Sequence, residues 1–464
     1  MKSRIIRVPT EAGHALFLGA LRAVVGPSHV LTDPAATRRY TTDATGHWSG
    51  RALAVVRPGS TDEVSAVVAA CFDARVPIVP QGGNTGLVGG TAPAPGSILL
   101  STGRLDRIEV NDHTVTAGAG VTVAAADHAA TAEGLRFGID LASRDSATLG
   151  GIVATDAGGP RRIRHGSARA QLLGIEAVLA DGSVLSRSTA AAADNIGYDL
   201  PGLLAGSEGT LAVVTGVSMR LVAPAPDPHV LVAALDTVDA ALRLHDRIRE
   251  SELITEAAEL MTRGGVALVR AHTGAGHPFP VDTPYYALFE LSSRNGTERS
   301  ALELLAASGD LIRDAVLAPA PARRLWQLRE AHTEAIGRES RTAPVKLDVA
   351  LPRAGLSAFL DALRPLLATD FPAARPILFG HFAEGSIHVN LLDVAPAASE
   401  AVTDAVFTLV AEHGGSISAE HGIGRAKAPW LHLGRSPIDV HAMNRIKAAL
   451  DPRGILNPGV LLPR

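Results

Sequence analysis

The chain has 464 residues, enough for two or three domains with sizeable cores. Hydrophobic residues make up 46% and charged residues 19%, with 43 Lys+Arg against 47 Asp+Glu and a formal net charge of −4. That balance excludes a disordered or strongly basic chain and points to no nucleic acid, while a single cysteine, Cys71, excludes a disulfide framework and a Cys-rich metal site.

In chain order, Leu16, Leu18, Leu21 and Val24 predict the apolar side of an N-terminal helix. Glu11, His14 and Arg22 interrupt anything like a signal sequence. No uninterrupted run of about 18 apolar residues occurs, so no transmembrane helix is expected and the protein reads as cytoplasmic. Residues 52–57 read as a strand, followed by a helix that Thr61 caps and by a second strand at 77–80. This order suggests a βαβ unit. Thr114–Ala117 is a further strand, 122–133 a helix, and 172–185 a hairpin turned by Asp181-Gly182. Residues 211–221 read as a strand pair. Pro224, Pro226 and Pro228 then mark a linker. Beyond it come a strand at 229–234, a helix over 237–252 that Asp236 caps, a strand at 285–291, a helix beginning at 301, an alternating strand at 345–351 and a helix at 443–450. The second half has the pattern of an α+β domain with an antiparallel sheet.

Three segments concentrate the glycines. Pro80-Gln81-Gly82-Gly83-Asn84-Thr85-Gly86-Leu87 leaves successive backbone N–H groups unencumbered, as in a nest for phosphate oxygens. It is neither GxGxxG nor a Walker A loop, and a tight surface turn explains it equally well. Residues 143–159 (SRDSATLGGIVATDAGG) and 203–215 (LLAGSEGTLAVVT) are similarly rich in small residues. Together they argue for a large, extended cofactor against bare backbone.

On these residues the first half resembles the FAD-binding domain of the vanillyl-alcohol-oxidase-like (PCMH-type) flavoproteins, and the second half resembles the FAD-linked oxidase C-terminal domain. The resemblance implies an α+β fold: a two-part FAD-binding domain over 1–222, a substrate-binding cap with an antiparallel sheet over 223–415, and a segment at 416–464 that returns to the flavin. It implies cofactor contacts from Pro80, Gln81, Gly82, Gly83, Asn84, Thr85, Gly86, Leu87, then Ser143, Gly150, Gly151, Ala154 and Gly158, then Glu208, Gly209 and Val214. Asn457, in Leu456-Asn457-Pro458-Gly459, matches an Asn that reaches the flavin. Two departures stand out. Asp156 and His165 replace the Asn and Tyr common at their positions, and Asp156 would add a negative charge if it lay beside the flavin.

The other informative stretch is Gly380-His381-Phe382-Ala383-Glu384-Gly385-Ser386-Ile387-His388-Val389-Asn390. His388 and Asn390 share one face of a strand. A turn at Ala383-Glu384-Gly385 could bring His381 beside His388. Glu420-His421-Gly422 supplies a carboxylate and a third imidazole. Two imidazoles and a carboxylate suit a divalent metal such as zinc, although on spacing alone a His pair on a strand is more often satisfied in the core or at a surface. These motifs are similar to those of the superfamily's D-2-hydroxyacid dehydrogenases, with Ala383–Ser386 departing from the usual GDGN. The resemblance implies His381, His388 and Glu420 as metal ligands and His421 as general base. It implies Arg329, in Trp326–Glu330, as the binder of the substrate carboxylate, with Thr333, one helical turn later and so on the same face, and Lys346 and Asn390 beside it. The competing explanation for Arg329 and Lys346 is ion pairing with Glu330 and Asp348.

The implied reaction is FAD-dependent oxidation of a D-2-hydroxyacid to its 2-oxoacid, with D-2-hydroxyglutarate or a similar diacid preferred over D-lactate. An electron-transfer flavoprotein or a quinone would accept the electrons, and a homodimer is compatible with the sequence. A D-lactate or glycolate dehydrogenase, an O2-using oxidase of another alcohol and a non-enzymatic flavin-binding subunit remain alternatives.

Overall fold

The structure is a computed structural model that describes residues 11–188 and 195–463. The chain forms two compact units. The first runs to Gly159 and also holds His165–Ala223 and the chain from Glu420 onward. The second holds Pro224–Ala419 and the short segment Pro160–Arg164. Residues 160–164 and 416–419 therefore belong with the second unit rather than with the segments to which the sequence assigned them.

The first unit contains two sheets. One is four-stranded, in the order Val30–Leu31, Ala54–Val56, Ile98–Ser101, Ile78–Gln81, and its last three strands are parallel. The strands on either side of the helix Thr61–Ala74 both pair with Ile98–Ser101, which lies between them. This is the crossover geometry of a βαβ unit. The larger sheet is antiparallel, in the order Ile108–Asn111, Thr114–Gly118, Val213–Val222, Leu172–Val178, Val184–Ser188. Its core is aliphatic, including Val64, Val67, Val115, Ile175 and Val217.

Four local expectations need correction. The helix after the first strand is capped by Ser60, whose hydroxyl accepts from Glu63 N at 3.2 Å, because Thr61 has already entered the helix. Thr237, not Asp236, caps Val238–Arg249, with its hydroxyl accepting from Ala240 N at 3.1 Å. Residues 211–221 form no strand pair. Val213–Val222 is one long strand, and Thr215-Gly216 makes a bulge against Leu172–Val178 instead of a turn. In the first helix, Glu11–Val25, the buried stripe is Phe17, Leu21 and Val25, and Leu16 is exposed.

The second unit is built on one seven-stranded antiparallel sheet. Its order is Asp314–Pro319, His229–Leu235, Tyr285–Ser292, Ile254–Thr262, Arg375–Gly380, Ser386–Leu392, Val345–Ala350. Helices Arg263–Thr273, Arg323–Glu330 and His332–Glu339 share a core with it through Met261, Val266, Leu328, Ile336 and Phe379. The segment 160–164 ties into this unit by its arginines. Arg161 pairs with Glu290 at 2.9 Å, Arg162 with Glu384 at 3.6 Å and Arg164 with Glu256 at 3.8 Å.

Candidate active site

In the first unit, strand Ile78–Gln81 delivers the chain into the first glycine loop. Side chains at both ends of the loop are spent on shaping it. Gln81 Nε2 donates to Tyr40 O at 2.8 Å and to Thr91 O at 3.2 Å, Asn84 Nδ2 donates to Thr42 O at 2.8 Å, and Thr91 Oγ1 donates to Asn84 Oδ1 at 2.7 Å. Gly83 is required by close packing, since a Cβ there would lie 1.8 Å from Ser146 O. The loop is thus seated directly on the second glycine segment, where Thr148 caps the helix Leu149–Thr155.

The backbone N–H groups of Asn84, Thr85, Gly86 and Leu87 donate to no protein acceptor among the described residues. Asn84 has φ +56°, and no atom lies within 4 Å of where a Gly86 Cβ would be. Four consecutive free donors in an open turn form a cradle for anionic oxygens. The residues present therefore fit the pyrophosphate of FAD.

Two other residues implied for the cofactor, Ala154 and Asn457, meet at Glu208. Its own N–H donates to Ala154 O at 2.8 Å, and Asn457 Nδ2 donates to Glu208 O at 2.8 Å and Gly90 O at 3.0 Å. The Glu208 carboxylate is buried and accepts from Ile423 N at 2.8 Å and Gly424 N at 2.7 Å. Burial pushes this carboxyl above its ordinary value, and those two N–H groups and the Lys427 charge only partly oppose the shift. Glu208 thus clamps the loop that follows His421, a role the sequence reading missed. His421 Nε2 lies 3.6 Å from Glu420 Oε1, and Gly159 N donates to Glu420 Oε2 at 3.3 Å. Asp156 takes the left-handed C-cap position of its helix, and its carboxylate accepts from Arg169 N at 2.9 Å.

In the second unit, the two informative histidines lie on a hairpin. Strand Arg375–Gly380 is followed by a short 3-10 turn, Phe382–Glu384, and by strand Ser386–Leu392, which pairs back on it. The turn absorbs the odd spacing, and the rings of His381 and His388 lie 5.6 Å apart, centroid to centroid. Register carries the row onward. His388 stands opposite both Phe379 and Asp348, and Asn390 stands opposite Lys346, so each set shares a face. His388 Nδ1 lies 3.5 Å from Asp348 Oδ1. Asp348 Oδ2 accepts from Ala419 N at 3.0 Å, and Arg162 Nη1 donates to Ala419 O at 3.0 Å. The chain is therefore pinned on both sides of the residue preceding Glu420.

Arg329 pairs with neither of its sequence neighbours. Its Nε donates to Glu259 Oε2 at 2.6 Å, its guanidinium lies 4.5 Å from the Phe379 ring centre, and the other oxygen of Glu259 meets His381 Nδ1 at 2.5 Å. Glu259 is fully buried. Burial alone would raise its carboxyl, but the charge of Arg329 and the partnership with His381 outweigh it and hold the group at about 2. Trp326, one turn earlier on the helix, donates Nε1 to the buried Glu290 at 3.1 Å.

Two expectations about the substrate side change. Thr333 does not continue the Arg329 face, because the helix breaks at Ala331, and Thr333 is exposed on the next helix. Lys346 is exposed and Asp348 buried, so they do not form one surface pair; crowding by protein atoms still lowers the Lys346 ammonium from its ordinary value by desolvation. The sequence did carry a signal for Glu259, one of two ionisable residues, with Glu256, inside the strand Ile254–Thr262.

The donor chemistry fits a divalent metal. His381 gives one ring nitrogen to a buried carboxylate, which is how a ligating imidazole is usually oriented, and His388 lies close beside it.

Comparison with known proteins extends this. Residues 52–188 match the model of the FAD binding domain, and residues 226–461 match that of the FAD linked oxidases, C-terminal domain. The chain belongs to the FAD-linked oxidase family. It is 36% identical to a D-2-hydroxyglutarate dehydrogenase of Xanthomonas citri pv. viticola, over 95% of this chain and 96% of that one. It is 37% identical to the mitochondrial D-2-hydroxyglutarate dehydrogenase of Bos taurus, over 96% of this chain and 83% of that one. Among solved structures it resembles the 4-ethylphenol oxidase of Gulosibacter chungangensis, with a TM-score of 0.74, 19% identity and 99% of each chain covered. The fold is that of the PCMH-type flavoproteins. No helix among the described residues is long and apolar enough to cross a membrane.

Proposed function

We propose that this protein oxidises a D-2-hydroxyacid, with D-2-hydroxyglutarate or a similar diacid as the favoured substrate. The observation that carries this reading is the Arg329–Glu259–His381 chain beside His388, in a chain 36% identical to a D-2-hydroxyglutarate dehydrogenase. FAD, when bound, supplies the two-electron acceptor, with the loop 82–87 holding its pyrophosphate. A divalent metal, zinc in our reading, when bound to His381, His388 and Glu420, lowers the pKa of the substrate hydroxyl.

The chain's own residues do the rest. With Nε committed to Glu259, Arg329 offers the fork of its two terminal nitrogens to the C1 carboxylate. Lys346 and Asn390, paired across two strands, receive the distal polar group. His421 takes the hydroxyl proton as general base, and the clamp on Ile423 and Gly424 limits where its ring can go. An electron-transfer flavoprotein or quinone is the acceptor we favour.

Anaerobic addition of D-2-hydroxyglutarate should bleach the yellow protein faster than D-malate or D-lactate does. Removal of metal by a chelator should abolish the bleaching, and added Zn2+ should restore it. A clear preference for D-lactate would overturn the diacid assignment, and full activity in confirmed metal-free protein would overturn the metal.

A further inference from the structure

The two halves of substrate recognition in the second unit are not independent. Arg329 and His381 come from distant parts of the chain, one from the helix Arg323–Glu330 and the other from the loop after strand Arg375–Gly380. Both converge on the two oxygens of one carboxylate: Glu259 Oε2 accepts from Arg329 Nε at 2.6 Å, and Glu259 Oε1 meets His381 Nδ1 at 2.5 Å. Glu259 sits in the interior strand Ile254–Thr262, with neighbours on both sides and no solvent exposure. Arg329 is further fixed by the Phe379 ring beneath it.

Three consequences follow from this geometry. A carboxylate on Nδ1 makes that nitrogen the protonated one, so Nε2 becomes the lone-pair donor. A carboxylate on Nε of Arg329 fixes which edge of the guanidinium remains for a ligand. Because a single rigid group does both, the carboxylate-binding fork and the metal-binding nitrogen are held at one fixed separation.

We propose that Glu259 is a positioning residue that locks the substrate-carboxylate arginine and the metal-ligand histidine in register, so that disturbing it weakens metal affinity and substrate binding together. This rests on the proposed function. The chemistry of a 2-hydroxyacid requires such a device, because its carboxylate and its hydroxyl sit on adjacent carbons and must be met side by side.

The test compares the full flavoprotein with its Glu259→Gln and Glu259→Asp variants. Gln keeps the volume but presents an amide N–H2 to one of two donors; Asp keeps the charge but withdraws it by one methylene. Zn2+ affinity of the metal-free, FAD-containing protein is measured by competition with a chromophoric chelator, and KM and kcat for D-2-hydroxyglutarate are measured separately. Glu259→Gln should weaken Zn2+ roughly 10–100-fold, the range for loss of a partner behind a ligand. It should raise KM at least tenfold while FAD content stays at the wild-type level, and Glu259→Asp should recover part of both losses. Zn2+ affinity and KM both within twofold of wild type would overturn the proposal, and so would a loss confined to one of them.

If neither variant retains FAD, the wild-type protein decides the matter. In metal-free protein labelled with 15N-histidine, the His381 resonance, identified by its absence in His381→Asn, should show the proton on Nδ1, and a proton on Nε2 would overturn the proposal. Wild-type protein that no D-2-hydroxyacid reduces would defeat the proposed function, while the Zn2+ and tautomer readouts would still judge Glu259.

Discussion

Glu208 in the first unit and Glu259 in the second are both buried with both oxygens engaged, and the two are held in opposite ways. Glu208, in the first unit, accepts from two backbone N–H groups, those of Ile423 and Gly424. Glu259, in the second, accepts from two side chains, Arg329 and His381. The electrostatic result differs in sign. Peptide dipoles do not repay the loss of water around Glu208, so its carboxyl is pushed up. The cation beside Glu259 more than repays it, so that carboxyl is held at about 2. The structural result differs as well. The first glutamate fixes the course of a loop and so acts on His421 through the backbone. The second fixes the rotamers of the groups it touches.

Substitutions on the Glu208 side should show that indirectness. The largest effect belongs to the residue the clamp serves. His421→Asn should retain FAD but slow flavin reduction by substrate by roughly 10²–10⁴-fold, the usual worth of a positioned base. Unchanged reduction in anaerobic stopped flow would refute the base assignment. Next comes Gly424→Ala. Gly424 has φ +55°, and a Cβ there would lie 2.1 Å from Val88 O, so the loop must shift. A displacement of about 1 Å near the base predicts a loss approaching 10²-fold in the same measurement, with Zn2+ affinity unaltered. Glu208→Gln is milder. One oxygen still accepts, but the amide N–H2 now faces a backbone donor, which costs about 1–3 kcal/mol and lowers the melting temperature. It too should leave Zn2+ affinity at the wild-type value, the reverse of what is expected for Glu259→Gln. Equal effects of the two Gln variants on Zn2+ would collapse the distinction between them.

The same contrast explains what was legible in the sequence. Backbone-directed sites announce themselves, because close backbone approach requires glycine. Gly83 and Gly424 both mark places where a Cβ would meet a carbonyl oxygen; Gly83 lies in the first glycine segment the sequence singled out, and Gly424 two residues beyond Glu420-His421-Gly422. The hairpin that brings His381 to His388 was also readable, from alternation on either side of a Gly-containing turn. Side-chain clamps leave a fainter trace, a charged residue within a strand that does not name its partners. Glu259 lies 70 residues from Arg329 and 122 from His381, and only strand pairing and the packing of a helix on the sheet bring them together. Thr333 failed for a related reason: helical spacing was extrapolated across Ala331, where the helix breaks. The caps slipped by one residue because Ser60 precedes Thr61 and Thr237 follows Asp236, and in each pair both residue types cap well.

The smallest effect, and the one that tests the electrostatic difference itself, is the pH dependence of stability. In the unfolded chain both glutamates titrate near ~4.3. Glu259 titrates lower in the folded protein, so its stabilising contribution is complete above about 4.3 and is lost as pH falls toward 2. Glu208 titrates higher in the folded protein, so between its folded value and about 4.3 the native state binds the extra proton and gains stability as pH falls. Subtracting each Gln variant from wild type removes every other carboxylate from the comparison. With melting temperatures followed from pH 7 downward, the deficit of Glu259→Gln should stay level and then shrink once pH drops below about 4.3. The deficit of Glu208→Gln should instead grow on acidification and level off below that point. Slopes of the same sign would mean that both carboxylates are held by charge, and that the peptide groups of Ile423 and Gly424 act on Glu208 as strongly as Arg329 acts on Glu259.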